Sequence, residues 1–90
     1  MPMRRRICWF EREADGVKRE VEAHVAAGPG LVEWKIWREE ADGRRRSNTP
    51  TAADWDELCR RADAWYRRGA LPYEELLIIQ KRGVNDRTSA

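Results

Sequence analysis

Three turn signals divide the first half of this chain into segments in which apolar and polar residues alternate. Asp15-Gly16 lies between the first two segments, Gly28-Pro29-Gly30 lies between the second and third, and Asp42-Gly43 follows the third. Asp-Gly between alternating segments is a strong hairpin signal. The first half is therefore predicted to be an antiparallel meander of three strands, with residues 44–48 as a candidate fourth strand.

The loop lengths predict which residues lie opposite one another. A two-residue loop at Asp15-Gly16 places Phe10 opposite Val21, and a loop over 27–30 places Val21 opposite Ile36. Successive side chains point to opposite faces of a sheet. The predicted core face contains Cys8, Phe10, Val17, Val21, Ala23, Val25, Val32, Trp34 and Ile36. The predicted solvent face contains Ile7, Trp9, Glu11, Glu13, Lys18, Glu20, Glu22, His24, Glu33, Lys35, Trp37 and Glu39.

Charged residues support most of this register. Glu22 lies opposite Lys35, which makes a favourable cross-strand pair on the solvent face. One pair disagrees, because Glu11 lies opposite Glu20.

The second half switches to helical spacing. Thr49 followed by Pro50 is a helix start, and Thr51 with Asp54 offers an overlapping capping site. The helix is predicted to run to about Arg68, since the next residue is a glycine. Its apolar stripe consists of Trp55, Leu58, Cys59, Ala62, Trp65 and Tyr66.

Residues 71–82 fit a short helix, with Glu74 and Glu75 early and Lys81 and Arg82 late, although a buried strand also fits their apolar centre. Residues 84–90 are predicted to be a disordered tail. The fold class is therefore α+β, a two-layer sandwich in a single domain over 1–83. A three- or four-stranded antiparallel meander is followed by one long C-terminal helix and a second short helix, with Trp34, Trp55 and Trp65 in the core.

Composition and spacing exclude several chemistries. The 18 basic and 16 acidic residues give a mixed surface rather than a nucleic-acid arm. The predicted register puts Cys8 and His24 on opposite faces, so that they share neither a metal nor a catalytic dyad, and Cys59 would face Cys8 as a second buried thiol. Glu33 is expected to raise the pKa of His24. No cofactor motif is present, and we expect a protein that is not an enzyme.

The apolar stretch Ile7 to Phe10 is too short for the core of a signal peptide, and no run approaches the length of a membrane span. We therefore expect a cytoplasmic protein.

The predicted solvent face carries two tryptophans inside a charged rim, a pattern typical of protein contacts. The expected site consists of Trp9, Trp37, Glu11, Glu20, Glu22 and Lys35. Three occupants fit: the tail or second helix of the chain itself, a second copy in a homodimer, or another protein with basic residues.

The alternative function is nucleic-acid binding. The predicted solvent face carries an excess of carboxylates, which would repel phosphates. A nucleic acid would instead need a basic patch that the first helix assembles by returning toward the first strand. That patch would contain Arg4, Arg5, Arg6, Arg67 and Arg68.

Overall fold

The chain folds as a four-stranded antiparallel meander followed by two helices, which confirms the predicted α+β class. The computed structural model describes residues 5–14, 16–26, 28–40 and 42–88. The strands are β1 (Arg5–Arg12), β2 (Lys18–Ala26), β3 (Leu31–Glu40) and β4 (Gly43–Ser47), and they lie side by side in chain order. The candidate fourth strand is present, since every residue of β4 pairs with β3.

β2 and β3 pair in the predicted register. Val21 lies opposite Ile36, and Ala26 lies opposite Leu31. The loop between the strands is closed by Gly30, whose N–H donates to the Ala26 carbonyl oxygen at 3.0 Å. Gly30 has a φ of +68°, which glycine adopts without steric cost. Loop chemistry and apolar alternation therefore agree for this hairpin.

β1 pairs with β2 one residue away from the predicted register. Trp9 lies opposite Val21, where the sequence analysis placed Phe10. Because the side-chain period of a strand is two, this shift moves every side chain of β1 to the other face. Ile7 and Trp9 are therefore buried in the core, whereas Cys8 and Phe10 are exposed.

The cause of the shift is the length of the first loop. The Glu13 N–H donates to the Val17 carbonyl oxygen at 3.0 Å, so the loop spans three residues and not the predicted two. The Gly16 N–H donates to the Glu13 carbonyl oxygen at 2.9 Å, and Gly16 has a φ of +84°. These are the features of a three-residue hairpin loop that ends in a glycine bulge. Asp15 lies outside the described residues.

The first helix, α1 (Ala52–Arg67), begins at the second of the two predicted caps. The Asp54 N–H donates to the Thr51 hydroxyl at 3.2 Å, and the Thr51 N–H donates to the Asp54 carboxylate at 2.8 Å. This capping box satisfies two backbone donors at the helix start. The helix ends at Arg67, one residue before the predicted end, and is followed by its C-cap Arg68 and by Gly69, which has a φ of +76°. Tyr66, predicted in the apolar stripe, is 41% exposed.

The second helix, α2 (Tyr73–Thr88), settles the choice between helix and strand. Its buried residues Leu76 and Ile79 are three positions apart and share one face of the helix. α2 is as long as α1, with 16 residues, so it is not the short helix that was predicted. It continues to Thr88, through five of the residues that the sequence analysis assigned to a disordered tail. Residues 89 and 90 lie outside the described part of the chain.

Both helices pack on the same face of the sheet, α1 against β1 and α2 against β2 and β3. Three tryptophans form a continuous edge-to-face series in this core. The ring centroids of Trp9 and Trp34 are 6.3 Å apart, and those of Trp34 and Trp55 are 5.0 Å apart. The core contains Ile7, Trp9, Val21, Ala23, Val25, Trp34, Ile36, Trp55, Leu58, Ala62, Leu71, Leu76 and Ile79, with Trp65 partly buried against it.

Candidate interaction surface

The other face of the sheet is covered by neither helix. We call it the open face and assign its residues from the strand registers and the alternation of side chains. It consists of Arg6, Cys8, Phe10, Arg12, Lys18, Glu20, Glu22, His24, Ala26, Leu31, Glu33, Lys35, Trp37, Glu39, Arg44 and Arg46.

Two aromatic side chains lie in one cross-strand row of the open face. The row runs from Phe10 through Glu20 and Trp37 to Arg46, one residue from each strand. Phe10 is 59% exposed, although it lies in the middle of a strand. A large apolar side chain in the middle of a strand normally packs against a neighbouring element, so this exposure marks the row as a contact candidate.

Cations lie over both aromatic rings. The Lys18 ammonium is 4.9 Å from the centroid of the Phe10 ring. The guanidinium groups of Arg44 and Arg46 lie 5.6 Å and 6.0 Å from the centroid of the Trp37 ring, which leaves that indole half-buried. Such contacts stabilise an exposed site by about 0.5–1 kcal/mol each. The row is therefore an aromatic strip bordered by positive charge.

The corrected register and the fourth strand together reverse the expected charge of this face. The one-residue shift removes Glu11 and Glu13 from it and brings in Arg6 and Arg12. β4 then adds Arg44 and Arg46. Six cationic side chains now stand against four carboxylates, whereas the sequence analysis predicted an excess of carboxylates. The reason for rejecting this face as a nucleic-acid surface is thereby lost.

The charges of the open face alternate along its central strands. Glu22 on β2 lies opposite Lys35 on β3 and also accepts a hydrogen bond from the Arg6 guanidinium at 3.2 Å. Arg44 donates to the Glu20 carboxylate at 2.9 Å. Burial lowers the net pKa of His24, and it outweighs Glu33, which acts on that pKa in the expected upward direction. The face is thus mixed in sign across its central strands.

The structure brings four of the six predicted site residues together. Trp37, Glu20, Glu22 and Lys35 share the open face. Trp9, the first of the two exceptions, is not at the surface, since it is 4% exposed and packs against Trp34.

Glu11, the second exception, lies on the helix side, where it accepts a hydrogen bond from Arg19. Phe10 and Cys8 take the places that the sequence analysis gave to Trp9 and Ile7. The loop length was the signal that decided between these two pairs.

The predicted basic patch is divided between two faces and largely ion-paired. Arg5 reaches the end of α1 as expected, where it donates to the Ala70 carbonyl oxygen at 3.3 Å and to the Glu75 carboxylate at 2.8 Å. Arg6 points to the open face instead. Arg67 pairs with Asp63 at 3.0 Å, and Arg4 lies outside the described residues.

A charged cleft of about 390 Å³ opens at the end of the covered face, beside β4. Its guanidinium groups are bound by carboxylates of the same chain. Arg19 donates two hydrogen bonds of 2.6 Å to Asp54, and Arg38 donates one of 2.6 Å to Glu13. The cleft is lined by Glu11, Glu13, Arg19, Ile36, Arg38, Arg45, Ser47, Thr49 and Thr51. This internal pairing indicates a network that ties the sheet to α1.

The buried pair at the base of the cleft is strongly coupled. Burial alone would raise the pKa of Asp54, but hydrogen bonds from Arg19 and from the Thr51 backbone hold it below its ordinary value. The hydrogen bond to Asp54 in turn raises the pKa of the Arg19 guanidinium. Both groups are therefore charged at neutral pH.

The cysteines differ from the prediction of two buried thiols. Cys8 is exposed, Cys59 is half-buried, and no disulfide joins them. Cys8 and His24 lie on the same face, so the parity argument that separated them was wrong. Within the described residues, no group of three or more His, Cys, Asp or Glu side chains is placed to hold a metal ion.

The described part of the chain contains no helix with the length and hydropathy needed to cross a membrane. Comparison with protein-family models, with curated proteins and with solved structures finds no match to this chain.

Proposed function

We propose that this protein is a non-enzymatic interaction module that associates with a second copy of itself through the open face. The observation that carries the proposal is the 59% exposure of Phe10 in the middle of a strand, in the same row as Trp37. Of the remaining predicted residues of the site, Glu20 lies within this row, and Glu22 and Lys35 lie beside it with opposite charges.

One of the three occupants considered from the sequence is not supported by the fold. α2 packs on the opposite side of the sheet, against β2 and β3, and so it does not cover the open face. Trp9, one of the two tryptophans that the tail or second helix would have covered in that alternative, is instead covered by α1 and the core. An occupant from outside the chain fits this arrangement better.

The mixed charge of the face favours a second copy over a strongly acidic or strongly basic partner. A partner of uniform charge would meet like charges in part of the face, at Glu20 and Glu22 or at Lys35 and Arg46. A copy of the same surface carries both signs in the same proportions. Homo-oligomers commonly use such self-complementary patches around a two-fold axis.

The size of the face sets the expected affinity. Four strands spaced about 4.8 Å apart, with about seven paired residues each, present an area of roughly 19 by 23 Å. Two such faces bury on the order of 1,000 Å² in total, at the lower end of specific interfaces. We therefore expect a weak dimer, with a dissociation constant in the micromolar range.

The test is molar mass in solution, measured by light scattering across a wide range of protein concentrations. The wild type is expected to rise from the 10.6 kDa chain mass toward twice that value. Phe10→Asp should remain at the chain mass throughout. The matched control is Tyr73→Asp, because Tyr73 is 56% exposed but lies on the helix side and should not affect the mass. A wild type that stays monomeric at every concentration would refute the proposal.

A second candidate is binding of single-stranded nucleic acid to the same face. The excess of cations and the aromatic pair Phe10 and Trp37 support it, since bases stack on exposed aromatic side chains and phosphates attract the cations. Fluorescence anisotropy of a labelled oligonucleotide at two salt concentrations tests this candidate. Binding that falls steeply with salt and is lost in Phe10→Ala would favour it over self-association.

We further propose that the protein works in the cytoplasm. Cys8 is an exposed thiol, and thiols persist in the reducing cytoplasm whereas they oxidise in secretory compartments. Fractionation of cells that produce the tagged protein tests this proposal, and recovery in a secreted or periplasmic fraction would contradict it.

A further inference from the structure

The pairing of residues across β2 and β3 on the open face indicates how two copies would be oriented. This inference rests on the self-association proposed above. In the central strands, each residue of β2 has a β3 neighbour in its own row. Glu22 lies opposite Lys35, and His24 lies opposite Glu33. Glu22 and Lys35 are thus opposite in charge, and the His24 imidazole lies beside a carboxylate, whereas Glu20 lies beside the Trp37 ring.

We infer that two copies pack open face to open face around a two-fold axis that runs parallel to the strands, above the seam between β2 and β3. A rotation by 180° about this axis keeps the position along the strand and exchanges β2 with β3. Each β2 residue then faces the row neighbour that it already has within its own chain, but from the second copy. Glu22 faces Lys35 of the second copy, and Lys35 faces its Glu22.

The same two-fold axis also determines which residues of the aromatic row face each other. The axis exchanges β1 with β4, so Phe10 faces Arg46 of the second copy, and Glu20 faces its Trp37. Phe10, the most exposed apolar residue of the face, thereby gains a guanidinium partner over its ring. Arginine over an aromatic face is a favourable contact, and it strengthens when the pair is removed from water.

The other aligned arrangement brings like charges together. A two-fold axis perpendicular to the strands, placed over the aromatic row, keeps each strand opposite itself. Glu20 then faces Glu20, and Arg46 faces Arg46. Like charges that oppose each other across an interface are strongly unfavourable. The parallel axis opposes like charges only at one corner, where Arg12 would face Arg44.

The parallel axis is also compatible with sheet geometry. Stacked sheets pack with their mean strand directions about 30° apart because each sheet is twisted. Pairs near the point where the two sheets cross are displaced least by this angle, and the contacts of Glu22 with Lys35 lie near the middle of the face. The central charge pairs therefore carry the specificity of the arrangement.

A charge-exchange experiment tests this orientation. Glu22→Lys alone places lysine opposite lysine, and Lys35→Glu alone places glutamate opposite glutamate, so each variant should dimerise at least about tenfold more weakly than the wild type. An equimolar mixture of the two variants restores an opposite-charge pair at both contacts. The mixture should form a heterodimer with an affinity within about threefold of the wild type. Analytical ultracentrifugation with one variant labelled measures all three affinities.

The matched control is a mixture of Glu20→Lys with Lys35→Glu, which carries the same net charges on the same face. Under the inferred axis Glu20 does not face Lys35, so this mixture should stay at least about fivefold weaker than the first. Equal recovery in both mixtures would show that only net charge matters and would overturn the inferred orientation.

Failure of the orientation and failure of the proposed function give different results. If the wild type dimerises but the mixture of Glu22→Lys and Lys35→Glu does not regain affinity, the inferred orientation is wrong and the self-association stands. A wild type that remains monomeric overturns both. Far-UV circular dichroism of each variant checks that a lost dimer is not a lost fold.

Discussion

The two faces of the sheet use adjacent residues of the same strands for different purposes. On the covered face, Trp34 contacts both Trp9 and Trp55 edge to face. The buried charges of Arg19 and Asp54 neutralise each other at one end. On the open face, Phe10 is exposed and Trp37 is half-buried, and cations lie beside both rings. The comparison shows that tryptophan content alone does not identify a binding surface, because most of it here stabilises the core.

The largest expected contrast is between two tryptophans on opposite faces. Trp9→Ala removes a ring that is 4% exposed, and we expect it to lower the free energy of unfolding by about 3–5 kcal/mol. Trp37→Ala removes a half-buried ring with two cation–π contacts, so it should lower the free energy of unfolding by about 1–2 kcal/mol and leave the far-UV circular dichroism unchanged. Urea denaturation measures both values. Comparable losses would mean that Trp37 is packed as tightly as Trp9 and that the open face is covered.

The second contrast concerns buried and exposed carboxylates on α1. Asp54→Asn leaves the buried Arg19 without its main counter-charge, and we expect a loss of roughly 3 kcal/mol. Asp63→Asn removes an ion pair at the surface and should change stability by about 0.5 kcal/mol at most. Chemical denaturation at neutral pH compares the two variants, and similar small effects would show that the cleft network contributes little.

The pH dependence of stability follows from the lowered pKa of Asp54. A carboxylate whose pKa is lower in the folded state stabilises the fold above its unfolded-state pKa of about 3.9. That contribution is lost as the pH falls through the lower, folded-state pKa. The free energy of unfolding should therefore fall more steeply with acid in the wild type than in Asp54→Asn. Parallel curves of unfolding free energy against pH for the two proteins would contradict a lowered pKa of Asp54.

A smaller effect is expected where α2 approaches α1. A Cβ atom at Gly83 would lie 3.3 Å from the Trp55 ring, which cannot move freely because it packs against Trp34. Gly83→Ala should therefore cost about 1 kcal/mol, although alanine favours helices. Gly28→Ala is the control, since its Cβ would meet nothing within 4 Å. Thermal unfolding of both variants checks the difference.

The second hairpin could be predicted from sequence, whereas the first could not. β2 and β3 alternate cleanly, so only one register buries Val21, Ala23 and Val25 together. β1 contains four consecutive apolar residues, Ile7 to Phe10, and therefore offers an apolar pair to the core in either register. The length of the first loop therefore determines the register of β1. The sequence does not fix that length, because Asp-Gly fits both a two-residue and a three-residue loop.

One sequence signal did point to the correct register. The two-residue loop opposed Glu11 to Glu20, whereas the three-residue loop opposes Glu11 to Arg19. Opposite charges across strands are favourable and like charges are not. The buried contact of Arg19 with Asp54 depends on tertiary packing of α1 over the sheet, and no local pattern in the sequence predicts it.

The reactivity of Cys8 tests the central claim most directly, because this thiol lies on the open face beside the aromatic row. In a Cys59→Ala background Cys8 is the only thiol in the chain. We expect rapid reaction with a thiol reagent in dilute protein, a slower reaction as the concentration rises, and no such slowing in the Phe10→Asp variant. A thiol that reacts slowly at every concentration, or equally fast at every concentration, would contradict an open face that pairs with a second copy.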